Sequence, residues 1–408
     1  MLDNPQQPRI DESSLRYEGW RIVAVCFLLA TFGWGLGFYG QSVYVAELQR
    51  ARGWPTSLIS SGTTFFYLFG ALLVVFVGEA VRKYGPRLCL IAGTLAMAAA
   101  AVAIGAVREP WQLYLANAVL AFGWAGTSLG MITNTISLWF DHRRGMAISL
   151  ALNGASFGGI AGVPLLVMLI GHVGFASAMY AAAGAMLVLL LPVILLLVGR
   201  PPGRHATAKA RPQSSTQIRA WALRDVGFLT VTTAFALVLF AQVGFIVHLI
   251  SFLDPVIGRE RAALAVAVLT AMAVVGRVLF SLVIDRLDQR LASALSFLSQ
   301  AAALLVVINL HDDYVLIAAC AVFGFSVGNL ITLPSLIVQQ EFDSAAFGVL
   351  ISLNTAINQV TYAFGPGVVG ALRDWSGGYS LPFYLCIVLE VMAAALIMVR
   401  GKPGARLS

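Results

Sequence analysis

The sequence predicts an all-α polytopic membrane protein with twelve transmembrane helices in two six-helix parallel repeats, and three observations carry that prediction. The first is composition: 59% of the 408 residues are hydrophobic, 11% are charged and mean hydropathy is +0.85, against about 25% charged in a soluble domain. The second is segment length. A bilayer-spanning helix needs roughly 20 predominantly apolar residues, and about twelve such runs follow one another along the chain. The third is the distribution of basic residues between alternate loops.

The first six runs lie near 22 to 46, 56 to 78, 88 to 107, 111 to 139, 145 to 170 and 174 to 199. A polar stretch, residues 200–224, then holds Pro201, Pro202, Ser214, Ser215 and six basic residues, a composition that suits a linker. Six further runs follow near 225 to 253, 262 to 284, 291 to 310, 314 to 338, 345 to 371 and 379 to 399. The expected organisation is a six-helix bundle over 1–199, a cytoplasmic linker over 200–224 and a second bundle over 225–408.

With the N-terminus inside, nineteen of the 26 lysines and arginines fall in loops and tails on the cytoplasmic side and six on the opposite side. Both termini are therefore expected in the cytoplasm, and a bacterial inner membrane is the expected location. The net charge of +7 is explained by this topogenic bias, so no nucleic-acid partner is expected. The first 19 residues mix Asp3, Asp11, Glu12 and Glu18 with two arginines, a cytoplasmic tail and no cleavable signal peptide. Cys26, Cys89, Cys320 and Cys386 sit apart in apolar runs with no CxxC spacing. They read as buried thiols, with no metal or other cofactor implied.

Internal matches support a duplication. Gly78-Glu-Ala-Val-Arg-Lys-Tyr-Gly-Pro-Arg87 and Ser281-Leu-Val-Ile-Asp-Arg-Leu-Asp-Gln-Arg290 occupy corresponding loops at an offset of 203. Phe140-Asp141 and Phe342-Asp343 correspond at 202, and Leu152-Asn153 and Leu353-Asn354 at 201. A nearly constant spacing of half the chain is the mark of a repeat.

Six-plus-six spans with these loops resemble the major facilitator superfamily, whose loop pattern is Gly-x-x-x-Asp-Arg/Lys-x-Gly-Arg-Arg/Lys. The first copy keeps Gly78, Lys83, Gly85 and Arg87 but has Arg82 at the aspartate position; the second keeps Asp285, Arg286 and Arg290. The resemblance implies that these residues form a cytoplasmic gating latch. Three shorter segments are similar to the monocarboxylate transporter and oxalate/formate antiporter group. They are Gly33-Trp-Gly-Leu-Gly-Phe-Tyr-Gly40, Trp139-Phe-Asp-His-Arg-Arg-Gly-Met-Ala147 and Gly276-Arg277. This likeness implies carriage of small organic anions bound by the arginine of span eight. The chain departs from the group at Ala273, where an aspartate stands in animal members, and it lacks the basic partners those relatives carry in spans one and eleven.

Arg277 is also singled out by the sequence itself. It is the one basic residue that no loop or tail accommodates, lying inside the run from Ala262 to Ile284. A guanidinium in hydrocarbon costs about 3 to more than 10 kcal/mol and needs a cavity or a counter-charge. Placed eight residues before Asp285 and fifteen after Ala262, it is expected about 12 Å and 22 Å from the two helix ends, close to the middle. With one buried cation, a single carboxylate is the better electrostatic match. The structural alternative is an arginine that caps helix carbonyls or pairs with Glu390.

Around it, Tyr39, Asn117 and Asn358 are expected to line the cavity as neutral donors. His248 in span seven is a candidate for substrate binding and for titration-linked coupling. Glu390, the one carboxylate deep in an apolar run, is a second coupling candidate. The glycines at 154, 158 and 162 and the Gly365-Pro-Gly367 interruption of span eleven are expected to pack and bend helices.

The expected function is a secondary carrier of small monocarboxylates, working by alternating access with proton symport or anion exchange, as a monomer in the lipid bilayer. No Walker-type phosphate loop is present, and the spans hold no clustered His, Cys or carboxylates that would suggest an enzyme. The alternatives are an exporter of hydrophobic or drug-like compounds and a non-transporting sensor with a carrier fold.

Overall fold

A computed structural model describes residues 12, 14, 17–199, 215–283, 287–330, 332–343 and 346–400. The described secondary structure is helical throughout. Ten helices are long and apolar enough to cross a membrane: Gly19–Arg52, Thr56–Val74, Pro86–Ala106, Pro110–Ile136, Arg144–Val173, Phe175–Leu197, Val226–Ile257, Arg259–Ser281, Gln289–Asn309 and Ser380–Ile397. They are spans one to nine and span twelve.

Spans ten and eleven are broken helices. Span ten consists of Asp313–Val327 and Leu333–Glu341, and span eleven of Phe347–Ala363 and Gly365–Ser376. The second break falls at the predicted Gly365-Pro-Gly367 interruption, because Pro366 has no N–H to continue the preceding helix. Short helices Val77–Tyr84 and Ser215–Ala222 lie outside the spans. The second of these occupies the expected linker and packs Ile218 and Ala222 with Phe228, Val338 and Leu350 of the second bundle.

Spans one and five each contain a π-helical turn, at Gly33–Phe38 and Gly158–Gly162, and the two turns pack on each other. Turns of this kind insert a residue into the α-ladder and occur often at functional sites. Chain direction alternates from span to span. The loops 1–2, 7–8 and 11–12 therefore share one face, here the far face, while the start of span one and the end of span twelve lie on the opposite one, here the termini face.

The halves meet where span two packs on span eleven, span one on span seven and span five on span eight. Within the second half, spans eight and ten approach by small residues. A Cβ added at Gly328 would stand 1.9 Å from the Ala273 carbonyl oxygen, and one at Gly276 2.0 Å from that of Phe325. Only hydrogen side chains permit this contact, and it brings Arg277 beside the break in span ten.

Candidate substrate site between the halves

Arg277 Nε donates to the carbonyl oxygen of Gly328 at 3.3 Å, a carbonyl freed by the end of helix Asp313–Val327. That much of the structural alternative is realised. The terminal Nη groups of the fork have no partner among the described residues, and Glu390 is not one. Arg277 is only partly buried. The residue lies nearer the termini face than expected, because its helix ends at Ser281, four residues on, or about 6 Å. Hydropathy overshot this end. Ser281 Oγ donates to the Val278 carbonyl at 2.7 Å, and such side-chain bonds compete with the helix ladder.

Tyr39 follows the π-helical turn of span one, is 8% exposed and stands within electrostatic reach of Arg277 across the halves. Thr270 of span eight, a buried neighbour on the Arg277 helix, donates to the Val266 carbonyl at 2.8 Å. Asn358 is buried with Oδ1 unpartnered, one helical turn before Tyr362 on the same face. Tyr362 in turn meets Tyr67 of span two edge-on at 5.6 Å. Arg277, Tyr39 and Asn358 thus belong to elements that meet between the halves.

Asn117 and His248 bond within their own halves, Asn117 by Nδ2 alone, since its Oδ1 has no partner among the described residues. Asn117 Nδ2 donates to the Leu113 carbonyl at 3.0 Å within its own helix and packs against Gly62. His248 is fully buried inside the second half. Its Nε2 is 3.0 Å from the Pro366 carbonyl oxygen, so this nitrogen carries the proton, and Nδ1 accepts from the Tyr379 hydroxyl at 3.3 Å. With both nitrogens used by the protein, none is left for a substrate. His248 instead pins span seven to the break in span eleven. Glu390 is fully buried, and neither carboxyl oxygen has a partner.

The far face carries bonds the sequence did not announce. Arg259 of span eight donates to Glu47 of span one, and Arg50 to Asp254 of span seven. Asp374 of span eleven accepts from the Thr56 N–H at 3.3 Å and the Ser57 N–H at 2.7 Å, capping span two from the other half. Behind this seam Gly367 N–H donates to Thr64 Oγ1 at 3.1 Å. A Cβ at Gly370 would lie 1.9 Å from Ser60 Oγ. The available signal was that Glu47, Arg50, Asp254 and Arg259 all end spans that share one face.

On the termini face the described contacts of Gly78, Lys83, Arg87 and Arg290 stay within one half. Lys83 stands over the Tyr84 ring at 5.1 Å, Arg87 donates to the Leu195 carbonyl at 2.6 Å, and Gly78 packs against Asn134. Gly85 takes φ +79°, where a side chain would be strained. Asp285 and Arg286 lie outside the described residues. Arg290 is 2% exposed and forks onto Glu341 at 2.6 and 2.7 Å. It also donates to the carbonyl oxygens of Ile397 and Val399. That is a keystone of the second bundle, and the gating role expected for the described loop residues has no cross-half bond to support it here. Asp288 accepts from the Leu291 N–H and from Arg400, and these bonds hold its carboxyl below the usual range.

The Major Facilitator Superfamily profile matches residues 23–287 and 257–407. The chain is 29% identical over 358 residues to the MFS-type transporter pynF of Aspergillus niger, covering 86% of this chain and 79% of that one. It is 23% identical over 386 residues to the aspyridones efflux protein apdF of Emericella nidulans, covering 92% and 74%. It is likewise 23% identical over 393 residues to YcxA of Bacillus subtilis, covering 93% and 94%. Two solved structures share the fold at 15% identity. The nucleoside transporter NupG superposes with a TM-score of 0.76 over 92% of this chain and 99% of its own. A bacterial homologue of the lysosomal transporter Spinster, inward-facing and occupied, gives 0.75 over 96% and 100%. The relatives are largely fungal and lend the expected bacterial inner membrane no support, whereas an integral multi-pass membrane protein is what both fold and kinship show. The chain belongs to the Major Facilitator Superfamily, and it is a membrane transporter rather than an enzyme.

Proposed function

We propose that this transporter carries organic anions, monocarboxylates above all, as a secondary active carrier, and that Arg277 binds the carboxylate. The observation that carries the reading is the guanidinium whose terminal nitrogens have no partner among the described residues although it sits within an apolar span. A planar fork matches two carboxylate oxygens at once, and desolvation between the halves strengthens each bond. Tyr39 and Asn358 complete the anion's shell with neutral donors. With cytoplasmic termini, the bonded far face is the outer one. Transport then proceeds by alternating access, with proton symport or anion exchange supplying the drive.

Export of larger products is a second reading, favoured by the relative named as an aspyridones efflux protein. Counterflow of a radiolabelled carboxylate panel in proteoliposomes, with and without a pH gradient, tests both. Arg277→Lys is expected to keep the fold and lose most transport, because a point charge does not replace the fork. Undiminished counterflow by Arg277→Ala across the panel contradicts the assignment.

A further inference from the structure

A run of aromatic rings reaches Tyr39, which stands within electrostatic reach of Arg277. Trp34 and Trp124 meet tilted at 58° with centroids 4.8 Å apart, and Phe66 lies 6.1 Å from Trp124 and 4.9 Å from Tyr67. Phe38 is 6.1 Å from Tyr67 and 5.1 Å from Tyr39. Tyr67 then crosses to the other half, meeting Tyr362 edge-on at 83°. The run begins on the π-helical turn, which carries Trp34 and Phe38 and is followed at once by Tyr39.

Two features distinguish these rings from ordinary core. Tyr67 is 3% exposed and its hydroxyl has no partner, although a buried phenol normally finds one. Trp34, Phe38, Trp124 and Tyr362 are only half-buried in the midst of apolar spans, so each ring keeps surface for a ligand. Tyr39 links them to the cation, being in ring contact with Phe38 and in electrostatic reach of Arg277.

We infer that the substrate is an aromatic carboxylate, its ring held among Phe38, Tyr67 and Tyr362 and its carboxylate on Arg277. The inference rests on the reading of Arg277 as the carboxylate site and adds to it the class of body attached. Rings of Tyr and Phe present edges to a planar aromatic guest, a contact that favours it over a saturated body of equal size. The Tyr67 hydroxyl is placed to donate to a polar substituent on that guest. Because Tyr67 and Tyr362 belong to different halves, the guest ring would draw the halves together as it binds.

The test is equilibrium binding to the full chain in nanodiscs at neutral pH, using benzoate, cyclohexanecarboxylate and benzamide. Benzoate is expected to bind about three- to tenfold more tightly than cyclohexanecarboxylate, the worth of one good aromatic contact. It should also bind at least about tenfold more tightly than benzamide, which keeps the ring and lacks the charge. Tyr362→Leu should erase the preference for benzoate over cyclohexanecarboxylate. Equal binding of the two acids by the unaltered protein, abolished in both cases by Arg277→Ala, overturns the aromatic inference and leaves the carboxylate site standing. Binding of both acids unchanged by Arg277→Ala, or no binding of any carboxylate, overturns the underlying reading and the inference with it.

Discussion

The far face and the termini face of this transporter are built from similar numbers of loops but hold the halves differently. On the far face, Glu47, Arg50 and the N-terminus of span two are each bonded to the opposite half. On the termini face the side-chain bonds of Arg87, Asp288 and Arg290 each stay within one half. There the strongest polar cluster, around Arg290, ties spans seven, nine, ten and twelve of one half to each other. The difference separates two tasks. Bonds within a half make it a rigid body, and bonds between halves on one face choose which side is shut.

The largest disturbance of this asymmetry is expected from Gly370→Trp. Ser60 leaves no room for even a Cβ there, so the far face cannot close. Transport should fall by more than about tenfold while the protein stays membrane-inserted. Cysteine labelling from the far side should rise sharply at Thr64, and unchanged labelling would show that the seam is not a closure.

A smaller effect is expected from Glu47→Gln, which leaves Arg259 without its charge partner at a half-buried site. The shift toward the far-open form should be about tenfold, near 1.4 kcal/mol, read as a change in spin-label distances across each face. Asp374→Asn removes a charged cap from span two and should shift the same equilibrium by about 1 kcal/mol. If Asp374→Asn exceeds Glu47→Gln, the cap and not the ion pair governs closure.

The smallest effect concerns the N-terminal tail, which the far-face equilibrium should not feel. Glu12 accepts from the N–H groups of Asp141, His142 and Arg143 at 3.0, 3.0 and 2.9 Å. Burial works to raise its pKa, but these three donors outweigh it and hold the carboxyl below the ordinary value. A depressed acid stabilises the fold at pH above its unfolded value, near about 4.3, and that contribution disappears as pH falls through the folded value. Glu12→Gln should therefore lower thermal stability slightly at pH 7, by about 1 kcal/mol or less, and the gap should close in acid. A gap that widened in acid would contradict the capping role.

Much of this was legible in the sequence, for particular reasons. Span number and the interruption at Gly365-Pro-Gly367 follow from local chemistry, namely apolar length and a missing N–H. Arg277 was legible because a charge inside an apolar run has few explanations. Its depth was not, since hydropathy does not register the helix end at Ser281. His248 and Asn117 show the limit of polarity as a signal: sequence spacing does not reveal which carbonyl lies 3.0 Å away. Tyr67 and Tyr362 were invisible, because an aromatic in a membrane span is unremarkable until a ring from the other half is beside it.

The central claim is that the unpaired fork of Arg277 holds the carboxylate, and calorimetric titration of benzoate into purified Arg277→Lys tests it most directly. The substitution keeps the charge and loses the two-pronged geometry, so affinity at pH 7 is expected to fall at least about tenfold with thermal stability unchanged. Unaltered affinity in a folded Arg277→Lys protein would contradict the account.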